Sequence, residues 1–531
     1  MRIFRDKSLY KISKLDLVKM LLSAIFIVLV LVPLIIMFSY MDGKSFQKVI
    51  TSSGFMNALK NSIISTTVST VITISLAMMA AFSIERIKIS YKSIFKVLLT
   101  LPMLVPSISL GMGLIILFGN NGILTRIFRM DSGIYGFTGI IMGSVLYAFP
   151  VAFIMLSEIM KYEDGTSYEA AEVLGISKYQ QFKTITLPYM KKTLINVIFT
   201  IFTLIITDYG VPLMIGGKYS TIPVIMYQEV IGQLNFGKGC IYGSVLLIPA
   251  VLAFVIDLKN QDKGKLTYIT KEYNLQDNIS SKIVGYIICT VCGLYVLMPV
   301  ISFILLGFTK QYPMDLSWSA EHLFRTMDFK AGIYFVNSIV IALAVSIIGV
   351  VIAFFTAYLS ARVKSKVSRF LHLVSMTSAA IPGIVLGLAY VLTFKKTAIY
   401  GTIIILVMVN LVHFISAPYL MMYNSLIKIN ENIEYVGQTM GISRFNLMKD
   451  VFIPVCGNTL IEMFSYFFVN CMMTISAVSF LANTFNKPVA LMINQFEAQM
   501  QLECAAIVSL MILCTNVFLK IILNTIKKRI Y

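Results

Sequence analysis

The chain has 531 residues, of which 58% are hydrophobic and 13% charged, and its mean hydropathy is +0.83. Soluble globular chains carry about 25% charged residues, so a soluble enzyme or binding module is excluded and an all-α polytopic membrane protein is indicated. The formal net charge of +19 would suit nucleic-acid binding. Here the cations sit in short loops between apolar runs, which is the positive-inside pattern and implies no nucleic acid.

A spanning helix needs roughly 20 mostly apolar residues, and about twelve segments qualify. In the first half they lie near 20–40, 60–84, 94–118, 136–160, 192–214 and 240–257. In the second half they lie near 282–308, 334–359, 367–394, 399–424, 456–482 and 503–523. The tail before the first span carries Arg2, Arg5, Lys7, Lys11, Lys14 and Lys19. Its apolar run is too long for a signal peptide and no small-residue cleavage site follows, so a signal-anchor is expected. Every second loop is then basic: Arg86, Lys88, Lys92 and Lys96; later Lys178, Lys183, Lys191 and Lys192; at the end Lys527, Lys528 and Arg529. Both termini and the loops near 90, 175, 265, 363 and 440 are expected in the cytoplasm. Lys395 and Lys396, on the opposite side, depart mildly from the pattern.

Intramembrane ionisable residues are costly and invite a functional reading. Asp208 lies about 22 Å into the fifth span at 1.5 Å per residue, beside Gly210 and Pro212, which should break the helix. A role lining the pathway and a helix-end aspartate are both open for it. His413 suits packing between helices, and Glu462 lies near the cytoplasmic start of its span. The seven cysteines offer no disulfide framework; Cys289 and Cys292, in an apolar run, read as small residues on one helix face. Trp318, the only tryptophan, falls in an outer loop at interfacial depth. The three histidines are scattered, and no metal site is expected.

The two halves repeat each other. Asn61-Ser62 matches Asn337-Ser338, Arg86 matches Arg362, Pro106 matches Pro382 and Gly111 matches Gly387, all at an offset of 276. Gly175 and Pro188 match Gly441 and Pro454 at an offset of 266. The first half therefore holds about ten extra residues, expected in the polar stretch 119–133. Both halves run from cytoplasm to cytoplasm, so the repeats are parallel and can pair about an axis along the membrane normal. The expected organisation is a first module, 1–257, a polar cytoplasmic linker, 258–281, and a second module, 282–531. The prolines Pro106 and Pro382 suggest broken third and ninth spans beside a pathway.

Each half has a long cytoplasmic loop after its fourth span, 162–190 and 429–455. In the first, Thr166 and Glu169 have capping-box spacing, Ala170 and Ala171 favour helix with little bulk, and Gly175 sits where a left-handed cap is needed. Ser177 and Gln180 repeat the capping spacing, and Leu187-Pro188 is expected to stop the second helix. A short helix, a glycine turn and a second helix follow. The segment EAAEVLGISKYQQFKTITLP resembles the EAA loop of binding-protein-dependent ABC importer permeases. The second loop keeps Gly437, Gly441, Ser443, Phe445 and Pro454, but Tyr435 stands at the acidic position, Glu434 precedes it, and Val436 replaces the first alanine.

The resemblance implies a type I importer permease fold, with two modules fused in one chain. It assigns ATPase coupling to Glu169, Ala170, Ala171, Gly175 and Pro188, and to Gly437, Gly441 and Pro454. It also implies two copies of a separate ABC ATPase, which would hold ATP and magnesium, and an extracellular or periplasmic substrate-binding protein. The chain itself has no GxxxxGK[ST] phosphate loop; Gly216-Gly217-Lys218 follows a proline at 212 where the motif needs glycine. Fused modules of this kind resemble those of ferric-iron, thiamine and 2-aminoethylphosphonate importers, and TDYGVPLMIGG looks most like the ferric-iron group. The alternative from another class is an ion-driven twelve-span secondary transporter, which should need more intramembrane carboxylates or histidines.

Overall fold

The structure is a computed structural model that describes residues 14–129, 133–260, 273–363 and 365–530. Arg2, Arg5, Lys7 and Lys11, and the middle of the expected linker, lie outside the described residues. In lipid every backbone polar group needs a partner within its own segment, and the chain meets that demand almost wholly with helices. Among the described residues nine helices are long and apolar enough to cross a membrane, or up to twelve if each bent pair counts as one span.

The breaks explain the difference. The third span runs as Lys92–Leu99, a tight turn Leu101–Leu104, and Ser107–Phe118. The ninth runs as Lys366–Met376, a turn Thr377–Ala380, and Gly383–Phe394, bent by 102°. A residue before proline is steered out of the helical region. Val105, before Pro106, and Ile381, before Pro382, are both extended. The fifth span's helix ends at Ile206 and a short helix, Gly210–Ile215, resumes after it, as Gly210 and Pro212 suggest. The eleventh span differs from expectation. It bends by 75° at Cys456, its long helix is only Gly457–Met473, and 474–490 carries turns instead of helix.

The two halves are intertwined. The first span, Lys14–Ser39, packs against Lys366–Met376 and Gly383–Phe394 of the other half. There the Tyr390 hydroxyl donates to the Leu29 carbonyl at 2.9 Å. In return, the seventh span, Ile279–Gly307, packs against Ser53–Arg86 and Ser107–Phe118. The Tyr295 hydroxyl donates to the Met142 carbonyl at 2.7 Å, and a Cβ on Gly113 would come within 2.8 Å of Pro299. Lys19 is fully buried although it belongs to the basic tail. Its ammonium donates to Asp16 at 3.0 Å, to the Val363 carbonyl at 2.8 Å and to Ser365 at 3.1 Å. The start of the first span and the loop near 363 therefore share one end of the molecule.

The extra residues of the first half lie where the polar stretch indicated. Eighteen residues separate Phe118 from Phe137, against eight between Phe394 and Ile403. They carry a short helix, Ile123–Phe128, whose Arg126 donates to the Pro313 carbonyl at 2.9 Å. Pro313 belongs to a hairpin, Thr309–Gln311 with Asp315–Trp318, that joins the seventh span to the eighth. Trp318 is exposed on it and stacks on Phe308 at 4.8 Å.

Candidate functional site: two latched helix-turn-helix loops

The first loop forms the helix Thr166–Val173, a turn at Gly175, and a second helix from Lys178. Gly175 has φ +68° and Gly441 has φ +71°, the left-handed region that costs any L-residue with a Cβ. The turn is closed in the same way in both halves. Ile176 N–H donates to Ala171 at 2.9 Å, and Ile442 N–H to Gly437 at 2.8 Å. Ser177 caps the second helix by accepting from Gln180 N–H at 3.3 Å, and Ser443 does the same for Asn446 N–H at 3.2 Å.

Three details depart from the sequence reading. Thr166 is the first helical residue and not its cap; Asp164 accepts its N–H at 3.1 Å. Pro188 does not stop the second helix. A wide turn, Phe182–Thr186, lets Leu187 N–H reach the Phe182 carbonyl, so helix continues from Lys178 to Ile206. One wide turn absorbs the register that proline's missing N–H would break; Met448–Phe452 does this ahead of Pro454. Finally, Ala170 is exposed but Ala171 is buried. Gly437 occupies the equivalent place, where a Cβ would meet Leu447 at 3.3 Å. The small residues thus close the helix pair as well as slimming its outer face.

Each loop is fastened to its own half by the arginine that ends the second span. Arg86 and Arg362 are 2% and 3% exposed. Arg86 pairs with Glu163, whose other oxygen accepts from the Tyr168 hydroxyl at 2.6 Å. Its guanidinium lies 4.0 Å from the Tyr273 ring centroid and 5.2 Å from that of Tyr168. Burial pushes the Glu163 carboxyl above its usual range, against the lowering pull of Tyr168 and Arg86. Arg362 instead grips Glu434 bidentately, at 2.6 and 2.5 Å, and donates to the carbonyls of Leu426, Ile429 and Asn430. Glu434 therefore replaces Tyr168 in the repeat and does Glu163's work, while Glu169 is partly exposed and accepts from Asn274 at 2.9 Å.

The described end of the linker, from 273 on, belongs to the first latch. Gln276 pairs with the backbone of Arg86 and Lys88 at 2.9 and 3.0 Å. Asp277 bridges Lys88 and Lys282, which hold its carboxyl down at about 2. Large apolar side chains stand exposed on both loops: Val173, Leu174 and Tyr179 in one, Tyr435, Met440 and Phe445 in the other.

The intramembrane candidates gather at two crossings. Asp208 accepts from the Ser107 hydroxyl at 2.7 Å, from Val211 N–H at 3.0 Å and from Gly210 N–H at 3.3 Å. It thereby caps the resumed helix and ties it to the residue after Pro106. A Cβ on Gly210 would fall 2.4 Å from the Ser107 hydroxyl, so Pro106, Asp208, Gly210 and Pro212 share one tight crossing. Pro382 belongs to the matching crossing, where a Cβ on Gly383 would meet Ser476 at 2.5 Å and His413 at 3.0 Å. Glu462 pairs with Lys527 at 2.6 Å. Sequence reasoning missed the polar seam between the halves beside these crossings. Tyr209 meets Ser479 at 2.6 Å, Asn494 donates to Tyr227 at 3.1 Å, and Ser109 meets Ser509 at 2.9 Å.

Duplicated six-span halves with paired helix-turn-helix loops at one end define an all-α, multi-pass membrane permease. Two segments, 73–258 and 349–530, match the family described as binding-protein-dependent transport system inner membrane component, and the chain belongs to it. It is similar to the ferric transport system permease protein FbpB of Actinobacillus pleuropneumoniae, at 24% identity over 76% of this chain and 61% of that protein. It is similar also to the putative ferric transport system permease protein FbpB 1 of Haemophilus influenzae, at 23% identity over 83% of this chain and 73% of that one. The thiamine transport system permease protein ThiP of Brucella suis is 22% identical over 44% of this chain and 46% of its own length.

Proposed function

We propose that this chain forms the translocation pathway of an ATP-driven ABC importer, receiving substrate from a separate binding protein and drawing on two copies of a separate ATPase that holds ATP and magnesium. The observation that carries the reading is the pair of latched loops. Two like helix-turn-helix units, at matched positions of the repeat, present apolar tips at the same basic end. In the first loop the small outer residue Ala170, beside Glu169, leaves room for a partner's groove; in the second loop the bulkier Val436 stands at that place. The tight turns at Gly175 and Gly441 and the continuous helix through Pro188 carry movement of the tips into the fifth span. In the second half the route passes Pro454 and turns at the Cys456 bend. The basic loops at this end favour a cytoplasmic side for it and for both termini.

The pathway runs between the halves, past Tyr209 and Tyr227 against Ser479 and Asn494, with the crossings at Pro106, Asp208, Gly210, Pro212 and Pro382 as its hinges. The names of the two FbpB relatives favour ferric iron as substrate; thiamine and 2-aminoethylphosphonate are the alternatives. The test is uptake into vesicles holding the reconstituted complex, with labelled ferric iron, thiamine and 2-aminoethylphosphonate in turn. ATP-dependent uptake of one of them, insensitive to ionophores, is expected. Uptake that persists without ATP and collapses with the ion gradient would establish the secondary transporter instead.

A further inference from the structure

We infer that the seam between the second and seventh spans is a binding groove for one anionic phospholipid of the leaflet at the basic end. Two cavities lie along this seam, of about 550 Å³ towards the basic end and about 510 Å³ further in. They share one continuous stripe on each helix, and Ile141, Met142, Val145 and Phe149 of the fourth span wall the one further in. On Ser53–Arg86 the stripe is Ile72, Leu76, Met79 and Ser83, and on Ile279–Gly307 it is Ser281, Val284, Ile288, Val291, Tyr295 and Met298. Spacings of three and four place such residues on one helix face, so the two cavities are parts of a single groove. From Ser281 to Met298 that groove is about 25 Å long at 1.5 Å per residue, enough to hold an acyl chain across the ~15 Å half-thickness of the hydrocarbon core.

The two ends of the groove differ in chemistry. The inner cavity is lined almost wholly by apolar side chains. The outer one has a polar mouth of Gln276, Ser280, Ser281 and Tyr179. Four lining residues at this mouth are followed or preceded by lysine: Ile87 by Lys88, Ser281 by Lys282, Phe182 by Lys183 and Tyr179 by Lys178. Against them stand two carboxylates, Asp277, which bridges Lys88 and Lys282, and Glu172, which pairs with Lys178. The rim therefore keeps a net positive charge. A phosphodiester headgroup fits there, and a neutral apolar guest would leave that charge without a counterpart. The groove touches the first coupling helix pair through Tyr179 and Phe182, and the exchanged seventh span through its whole stripe. An occupant wedges together the contact on which the first latch rests.

The test is native mass spectrometry of the purified full chain, delipidated and then offered phosphatidylglycerol, phosphatidylcholine or inorganic phosphate. The expected result is retention of a single phosphatidylglycerol in preference to phosphatidylcholine, and no retention of phosphate. Lys183→Gln with Lys282→Gln should weaken phosphatidylglycerol on the order of tenfold or more, at about 1 kcal/mol per basic residue near a membrane surface, and leave phosphatidylcholine unchanged. Val284→Trp fills the groove from a half-exposed position without touching the rim, and should abolish retention of both lipids. Equal retention of both lipids by the wild type, retention of phosphate alone, or unchanged retention in Val284→Trp would overturn the proposal. None of these outcomes bears on whether an ATPase docks.

Discussion

Replacing Glu434 with alanine removes the carboxylate that grips the buried Arg362 at two points. Breaking a buried ion pair from one side costs ~3–5 kcal/mol. Arg362 keeps the carbonyls of Leu426, Ile429 and Asn430 as acceptors, which places the loss at about 2–3 kcal/mol. That cost falls on the docking of the helix Asn432–Thr439 against the end of the eighth span. Local opening of that helix should become roughly 30- to 150-fold more frequent, at 1.36 kcal/mol per factor of ten. Amide hydrogen exchange in the purified protein reads this directly. Arg362→Lys should not substitute, because a single ammonium cannot reproduce the bidentate fork. Glu169→Ala, at a partly exposed residue, should leave exchange in Thr166–Val173 within about fivefold of wild type, since exposed polar contacts contribute ~0–1 kcal/mol. The repeat sets Glu434 one residue before the position that matches Glu169; the latch turns Glu434 onto Arg362 while Glu169 stays partly exposed. Unchanged exchange in Glu434→Ala would refute the latch, and equal acceleration in both variants would refute the distinction.

A Cβ at Gly175 or Gly441 meets nothing within 4 Å, so Gly175→Leu and Gly441→Leu should each cost mainly the left-handed backbone strain of about 1–2 kcal/mol, and asparagine should be milder at both; exchange across the turns checks this. Gly210→Ala drives a Cβ into the Ser107 hydroxyl and should lower thermal stability by about 1–3 kcal/mol, whereas Gly43→Ala, which meets nothing, should not. Burial raises the Glu163 carboxyl. Its contribution to stability is full below the ordinary carboxylate range and falls as pH rises through the raised value. Glu163→Gln should therefore flatten the decline in melting temperature over that window, and an unaltered slope would contradict the assignment. Asp208→Asn keeps one acceptor for Ser107 or Val211 but not all three bonds, and should lower transport while leaving ATPase retention intact.

What the sequence made legible was local. The positive φ at Gly175 and Gly441, the serine caps at Ser177 and Ser443, and the breaks at Pro106, Pro382 and Gly210 each follow from the conformational limits of one or two residues. The repeat aligned Arg86 with Arg362 but could not give their role, because their partners do not align: Glu163 corresponds to Ile429, and Glu434 to Tyr168. The exchange of the first and seventh spans was invisible for a different reason. A helix facing lipid and a helix facing protein are equally apolar, so hydropathy marks the span without showing its neighbour. Pro188 was misread because proline normally ends a helix, and the wide turn that accommodates it leaves no mark in composition. Tyr209 went unnoticed beside Asp208, although it, and not the aspartate, reaches the other half.

The central claim is that the two latched loops dock separate ATPases. Its most direct test is co-purification of the full chain with the ABC ATPase encoded beside it, comparing wild type with a variant carrying Glu169→Arg, Gly175→Leu and Gly441→Leu. The account predicts that wild type retains the ATPase and the triple variant, still folded and inserted, does not. Retention by both would move the docking site elsewhere, and retention by neither would contradict the importer reading.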